Sequence, residues 1–294
     1  MHLAAIRENT VPGIQGSDIG NILLNAGLLT DEDLKRIVAL QGKEEILFGE
    51  AAVALGILRE EDVRWALSRQ YSYPSVNTEE EPISKELIAL HEPSDPRVES
   101  LRSIRSGLMF SGAGNIVKSI AVVSPEEGEG KTFVAANLAV VFAQLGMRTL
   151  LVDLNFRGPR LHGLFRIKNN TGASSLIIKR AIFEQAVRTT SIESLTVLPS
   201  GPKPPNPSEL LSWQDTRELL GTLKERNDLV IIDTPAFSRT ADAMMIASLS
   251  DGVLLTALKG KTRLSAFGQT KRQLEASSVR MLGSVVNEIR GMKK

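Results

Sequence analysis

The chain has 294 residues, 42% of them hydrophobic and 23% charged, which is enough apolar material to bury a full core and enough length for two ordinary domains. Thirty-five basic residues against 34 acidic ones leave a net charge of +1, which excludes a global field favouring nucleic acid or an anionic membrane surface. With no cysteine there is neither disulfide stapling nor thiolate chemistry, and the three histidines show no metal-ligand spacing.

The opening MHLAAIRENTVPG lacks the basic start and long apolar stretch of a secretory signal, so the mature protein is expected to start here. No apolar run approaches the roughly 20 residues needed to cross a bilayer. The longest, Gly252 to Leu258, has the length of a buried strand. A cytoplasmic protein is expected, peripheral to a membrane only through a partner.

The first segment repeats itself. DIGNILLNAGLLTDEDLKRIVALQ from Asp18 aligns without gaps with LFGEAAVALGILREEDVRWALSRQ from Leu47, with identities that include Gly20 and Gly49, Gly27 and Gly56, Leu29 and Leu58, and Asp33 and Asp62. Each unit reads as a short helix ended by glycine, a hydrophobic pair, a polar start such as Thr30 with Asp33 three residues on, and a second helix. Two helical hairpins sharing a small core are predicted over residues 1–76. NTEEEPISKELIALHEPSDP is rich in proline and acid and predicts an exposed connection over 77–97 with one short helix. From residue 98 to 294, SIAVV, RTLLV, LTVL, LVII, GVLLTAL and MLGSVV alternate with longer amphipathic stretches. That pattern predicts an α/β domain built on a doubly wound, mainly parallel sheet.

The chemistry-bearing run is SIAVVSPEEGEGKTFVAANLAVVFAQLG, a β-branched strand, a glycine-containing turn and a helix. Phosphates need closely spaced backbone N–H groups, so glycine is required where a side chain would block approach, and a helix N-terminus adds partial positive charge. Residues Glu127, Gly128, Glu129, Gly130, Lys131, Thr132 and Phe133 are therefore candidate nucleotide-binding positions. Lys131 would neutralise β- and γ-phosphate oxygens, and the Thr132 hydroxyl would ligate Mg²⁺. Pro125 stands where the full Walker A pattern has glycine. LLVDLNFRGPRLHGLF places Asp153 at a strand end, and LVIIDTPAF places Asp233 at another; in a parallel sheet both reach the rim that carries the phosphate loop. Thr132, Asp153 and Asp233 are the candidate metal residues, and Lys131, Asp153 and Asp233 the candidate catalytic ones.

On these residues the stretch from Val98 to Glu288 resembles the bacterial tyrosine kinases, P-loop relatives of the MinD-type ATPases. In that family SPEEGEGKT corresponds to Walker A, VDLNFR to Walker A′ and IIDTPA to Walker B. The resemblance implies ATP and Mg²⁺ as cofactors and tyrosine autophosphorylation that regulates exopolysaccharide polymerisation and export. It also implies a membrane-bound chain-length determinant as partner. Glu99, Arg102 and Arg105 match an E-x-x-R-x-x-R element that packs one subunit on the next, which implies a homo-oligomeric ring; without the match they read as a solvated helix stripe. Asn287 stands where relatives contact adenine, or is a turn residue. GPKPPNPSELL from Gly201 resembles a loop and helix start of the same kinases. The whole chain is similar to the EpsG-type members. Its repeat resembles the N-terminal domain of type II secretion ATPases, some of which bind cyclic di-GMP; Asp18 and Leu47 replace the arginines of those binders, which favours protein docking.

Two departures bear on activity. The kinases carry Asp-x-Asp in Walker A′, whereas here the second position is Asn155, which has no negative charge and cannot act as a base. The kinases also end in a tyrosine cluster, whereas the only tyrosines here are Tyr71 and Tyr73, which read either as packing residues or as acceptors. Lys259, Lys261 and Arg263 follow a strand on the expected active rim and could contact phosphate; His162 reads as structural. A MinD/ParA-like ATPase switch is a rival, although SPEEGEGKT lacks the early lysine of those proteins. The third reading is a nucleotide-binding scaffold of weak activity.

Overall fold

The computed structural model describes residues 18–44, 46–63, 66, 83–110, 117–212 and 214–288. The chain divides into two compact units, Met1–Ser75 and Val76–Lys294.

In the first unit, α1 (Asp18–Asn25), α2 (Asp31–Glu44) and α3 (Phe48–Ala54) are followed by helical residues from Glu60. Gly27 and Gly56 take the left-handed conformation, with φ of 71° and 65°, and end the first helix of each repeat as the sequence requires. At the start of α2 the Thr30 N–H donates to Asp33 Oδ2 (3.1 Å), and the Asp33 N–H donates back to Thr30 Oγ1 (3.2 Å), a reciprocal cap. Leu23, Leu29, Ile37, Phe48, Ala51, Ala52 and Leu58 close a core shared by both repeats. A Cβ on Gly49 would lie 2.5 Å from Val63 Cγ1, so the repeated glycine sets how closely the helices pack.

Among the described residues, the second unit begins with α4 (Ile88–His91) and α5 (Pro96–Phe110). Seven strands follow, with their connecting helices: β1 (Ser119–Val123), α6 (Lys131–Ala143), β2 (Thr149–Asp153), α7 (Leu161–Leu164), α8 (Ala173–Ile177), α9 (Phe183–Ala186), β3 (Arg188–Thr189), β4 (Leu195–Leu198), α10 (Pro207–Ser212), α11 (Gln214–Arg226), β5 (Leu229–Asp233), α12 (Asp242–Leu249), β6 (Gly252–Leu258), α13 (Leu264–Ala276) and β7 (Met281–Asn287). The sheet order is β3-β4-β2-β5-β1-β6-β7, and every pairing is parallel except β3 with β4. The six apolar runs of the sequence are the six long strands; β3, only two residues long, has no sequence signal.

Alternate strand residues face opposite layers. Ile120, Val122, Leu151 and Ile231 pack with α4, α5 and α6, whereas Ala121, Val123, Leu150, Val152 and Ile232 pack under α10 to α13. Helix α6 is buried along its length apart from Phe133, which explains why it is apolar on all sides.

The expected exposed connection is corrected in part. Leu87, Ile88, Ala89 and Leu90 are buried in the core above α6. Their apolar side chains drive the burial, and Asn137, fully buried in α6, fixes the segment's position: its Oδ1 accepts the Ala89 N–H (3.0 Å), and its amide donates to Glu86 O (2.9 Å). A buried amide demands partners, and the proline-and-acid composition of 77–97 does not reveal that demand.

Candidate active site

The sheet positions the site. β1 lies between β5 and β6, and the β2–β5 register sets Asp153 directly beside Asp233 at the carboxyl ends. β1 feeds the loop Ser124–Gly130, which opens α6. Gly128 and Gly130 have φ of 69° and 89°, the left-handed region that curls successive N–H groups to one side. Among the described residues, the N–H groups of Glu127, Gly128 and Glu129 have no acceptor within the chain, as an anion cradle requires.

Lys131 is 6% exposed and reaches back over the loop to donate to Ser124 Oγ (3.0 Å). Burial lowers the pKa of its ammonium, against the opposing pull of Asp233, Glu129 and Glu127. Thr132 Oγ1 donates to Asp233 Oδ2 at 2.7 Å. The other oxygen, Asp233 Oδ1, is buried without a hydrogen-bond partner. Burial raises the Asp233 pKa to about 6, offset in part by the Thr132 hydrogen bond and the Lys131 charge. Asp153 is also fully buried, and burial followed by repulsion from Asp233 pushes its pKa well up. Its carboxylate accepts the N–H groups of Asn155 (3.1 Å), Arg160 (3.1 Å) and Leu161 (3.2 Å).

An orphaned carboxylate oxygen beside a hydroxyl, under a phosphate cradle, is an all-oxygen donor set that fits Mg²⁺. Thr132 and Asp233 would hold the ion, with Asp153 adjacent through the β2–β5 register.

Residues 120–294 match the CobQ/CobB/MinD/ParA nucleotide binding domain family. The chain is 38% identical over 205 residues to the tyrosine-protein kinase YwqD of Bacillus subtilis, a match that covers 70% of this chain and 86% of that protein. The chain belongs to the bacterial tyrosine-protein kinase family. The tyrosine-protein kinase CpsD of Streptococcus agalactiae is 33% identical over 192 residues, 65% of this chain and 83% of its own. The kinase domain of the Escherichia coli tyrosine kinase ETK superposes with a TM-score of 0.67 at 28% identity, covering 71% of this chain and 82% of that one. The septum site-determining protein MinD of Pyrococcus horikoshii, complexed with Mg-ADP, shares the fold at a TM-score of 0.53 and 24% identity over 60% of this chain and 72% of that one.

The structure adds contacts for several of the expected site positions of this kinase-family chain. Asn287 Nδ2 donates to Glu129 O (2.8 Å), and a Cβ on Gly130 would lie 2.3 Å from it. The amide thus braces the phosphate loop. The Glu129 side chain is fully buried beneath the loop, where Oε2 accepts the Glu126 N–H (2.8 Å) and Oε1 the Thr262 hydroxyl. Glu127 is exposed and its carboxylate pairs with Arg239 at 3.0 Å. Both glutamates can therefore offer phosphate only their backbone. Phe133 packs against the core. Asn155 turns back on its own loop, donating to Gly158 O (3.0 Å) and accepting the Gly158 N–H (3.2 Å).

Glu99 and Arg102 form an ion pair along α5 (3.2 Å), and Arg105 donates to Val141 O of α6 (2.6 Å). Sequence reasoning missed the cluster in which Arg157 Nε meets Asp242 Oδ2 at 2.7 Å and its NH2 donates to Ser208 Oγ at 2.9 Å. Burial raises the Asp242 pKa, but Arg157 and Ser208 outweigh it and hold the carboxyl below its ordinary value. The cluster ties the Walker A′ loop to α10 and α12; the only hint was the arginine that follows Asp-x-Asn.

Proposed function

We propose that this chain is an ATP- and Mg²⁺-dependent protein tyrosine kinase that phosphorylates itself or another copy and regulates exopolysaccharide polymerisation and export. The observation that carries the nucleotide chemistry is Asp233, which shares one oxygen with Thr132 and leaves the other buried and unpartnered. Mg²⁺ held there would offset the charge on the β- and γ-phosphate oxygens. Lys131 and the backbone of residues 127–132 bind and orient those phosphates. Asp153 orders the Walker A′ loop through three backbone N–H groups and stands next to the metal position. The tyrosine acceptor rests on kinship with YwqD and CpsD, both tyrosine-protein kinases.

The finer reading makes the chain an EpsG-type kinase activated by the cytoplasmic ends of a membrane-bound chain-length protein. No helix among the described residues is long and apolar enough to cross a membrane, so contact with the bilayer would run through that partner. The repeat unit would serve as a protein-docking module. The oligomer interface would centre on Glu99, whose side chain is 69% exposed, with Arg102 and Arg105 fixing the helix that presents it.

A second reading, a slow ATPase switch or scaffold, draws on Asn155: its amide is spent on Gly158 and supplies no second carboxylate. Mass spectrometry after incubation with Mg·ATP, with and without the partner's cytoplasmic ends, separates the readings. Phosphotyrosine on the chain or on those ends supports the kinase; tight ATP binding with tyrosine left unmodified in both would favour the switch.

A further inference from the structure

The β6–α13 turn lies against the phosphate loop and carries a cation that the site described above does not use. The Lys261 Nζ donates to Glu127 O at 2.6 Å, and it lies 2.7 Å from the place a Cβ on Gly128 would occupy. Its backbone is fixed on both sides. The Lys261 N–H donates to Leu258 O (3.0 Å), and the Thr262 hydroxyl is held between the Leu258 N–H (2.8 Å) and the buried Glu129 carboxylate.

Among the described residues, the charge on Lys261 has no carboxylate partner. Glu127, the nearest acid along the loop, gives its carboxylate to Arg239, and Lys261 reaches only its carbonyl. Two residues earlier, Lys259 behaves as an ordinary surface lysine, paired with Glu288 at 2.7 Å. An ammonium that rests unpaired on a loop of free N–H groups is placed where a polyanion would supply the missing counter-charge. The loop residues it meets, Glu127 and Gly128, precede the N-terminus of α6 that Lys131 and Thr132 occupy. A triphosphate on this loop brings more negative charge within reach of that ammonium than a diphosphate does.

We propose that Lys261 is a second phosphate-binding cation, supplied from within the same chain, that contacts the terminal phosphate of the bound nucleoside triphosphate. The inference rests on the reading of loop 124–132 as an ATP site. Lys261 would leave the Glu127 carbonyl for a phosphate oxygen, which adds a charge-assisted hydrogen bond that ADP cannot accept at the same place. It is a binding role that discriminates triphosphate from diphosphate, and its loss also slows transfer because charge on the terminal phosphate is then less well balanced.

The test measures affinity for Mg·ATP, for a non-hydrolysable ATP analogue and for Mg·ADP in the wild type, Lys261→Met, Lys259→Met and Lys131→Met, together with turnover. Lys261→Met should weaken both triphosphates by about tenfold or more and change ADP by less than about threefold. Lys259→Met should match the wild type. If Lys261→Met leaves the ATP-to-ADP affinity ratio unchanged while Lys131→Met abolishes binding, the ATP site stands and the role of Lys261 is refuted. An equal loss for ATP and ADP also refutes it, because it points to a brace on Glu127 rather than a phosphate contact. If the wild type binds neither nucleotide, the underlying ATP reading fails first.

Discussion

Replacing Asp233 by asparagine tests the buried carboxylate pair through its effect on stability. Folding raises this carboxyl from 3.8 to about 6, with burial the largest cause. At about 1.4 kcal/mol per pH unit, holding it ionised costs the nucleotide-free fold about 3 kcal/mol at pH 8. A group whose folded pKa is raised binds more protons in the native state than in the unfolded chain between those two values. Stability therefore falls as the pH climbs from about 4 to about 6 and stays low above. Asparagine keeps the carbonyl oxygen that accepts from Thr132 and removes the charge that opposes Asp153. Without nucleotide, Asp233→Asn should melt about 5 to 10 °C higher than the wild type at pH 8, with the gain reduced to about half at pH 5. Adding Mg·ATP should invert the order. Binding at about a thousand times Kd stabilises the wild type by about 4 kcal/mol, and the variant, without its metal-binding oxygen, should gain little. Thermal unfolding at both pH values, with and without Mg·ATP, gives all four numbers. A variant less stable than the wild type at pH 8 without nucleotide, or one that keeps the full Mg·ATP shift, would show that the Asp233 carboxylate is neither a burden on the empty fold nor a metal ligand.

Other substitutions probe the parts that hold this geometry. Gly130→Ala should abolish ATP binding in calorimetry, because it strains a φ of 89° and drives a methyl into Asn287. Asn137→Leu strands the Ala89 N–H and Glu86 O, and should cost about 2 to 4 kcal/mol in urea unfolding of the second unit. Arg157→Met leaves Asp242, 1% exposed, without its cation, and should cost about 3 kcal/mol and raise the carboxyl pKa, measurable by NMR titration. Gly49→Ala pushes a methyl against Val63 and should cost about 1 to 3 kcal/mol, seen as faster hydrogen exchange confined to the repeat unit.

Features with strong local period or obligate backbone chemistry were legible in the sequence. The apolar runs became strands because a parallel sheet covered on both faces demands nearly continuous apolar segments, a demand that relaxes only at the half-buried edge strand β7. The repeat was legible through its glycines, since only they adopt the left-handed turns at Gly27 and Gly56 without strain. Lys131, Thr132, Asp153 and Asp233 could be placed because each sits at a strand end or helix start on one rim. What stayed hidden depends on partners distant in sequence. Glu129 looks like a solvated loop acid until Thr262, 133 residues later, closes over it. Asn287 looks like a turn residue until its amide meets Glu129 O across 158 residues. The position of Leu87 to Leu90 is fixed by backbone hydrogen bonds to Asn137, about 50 residues later in a different element, and β3 is too short to have a period.

Phosphoryl transfer to tyrosine from ATP held by this loop can be followed with γ-labelled ATP and Mg²⁺ over time in the wild type and in Lys131→Met, separating label on tyrosine from free phosphate. Tyrosine-bound label should accumulate in the wild type and be lost in Lys131→Met. Free phosphate with no protein-bound label in the wild type, or equal tyrosine label in both proteins, would rule out a kinase built on this loop.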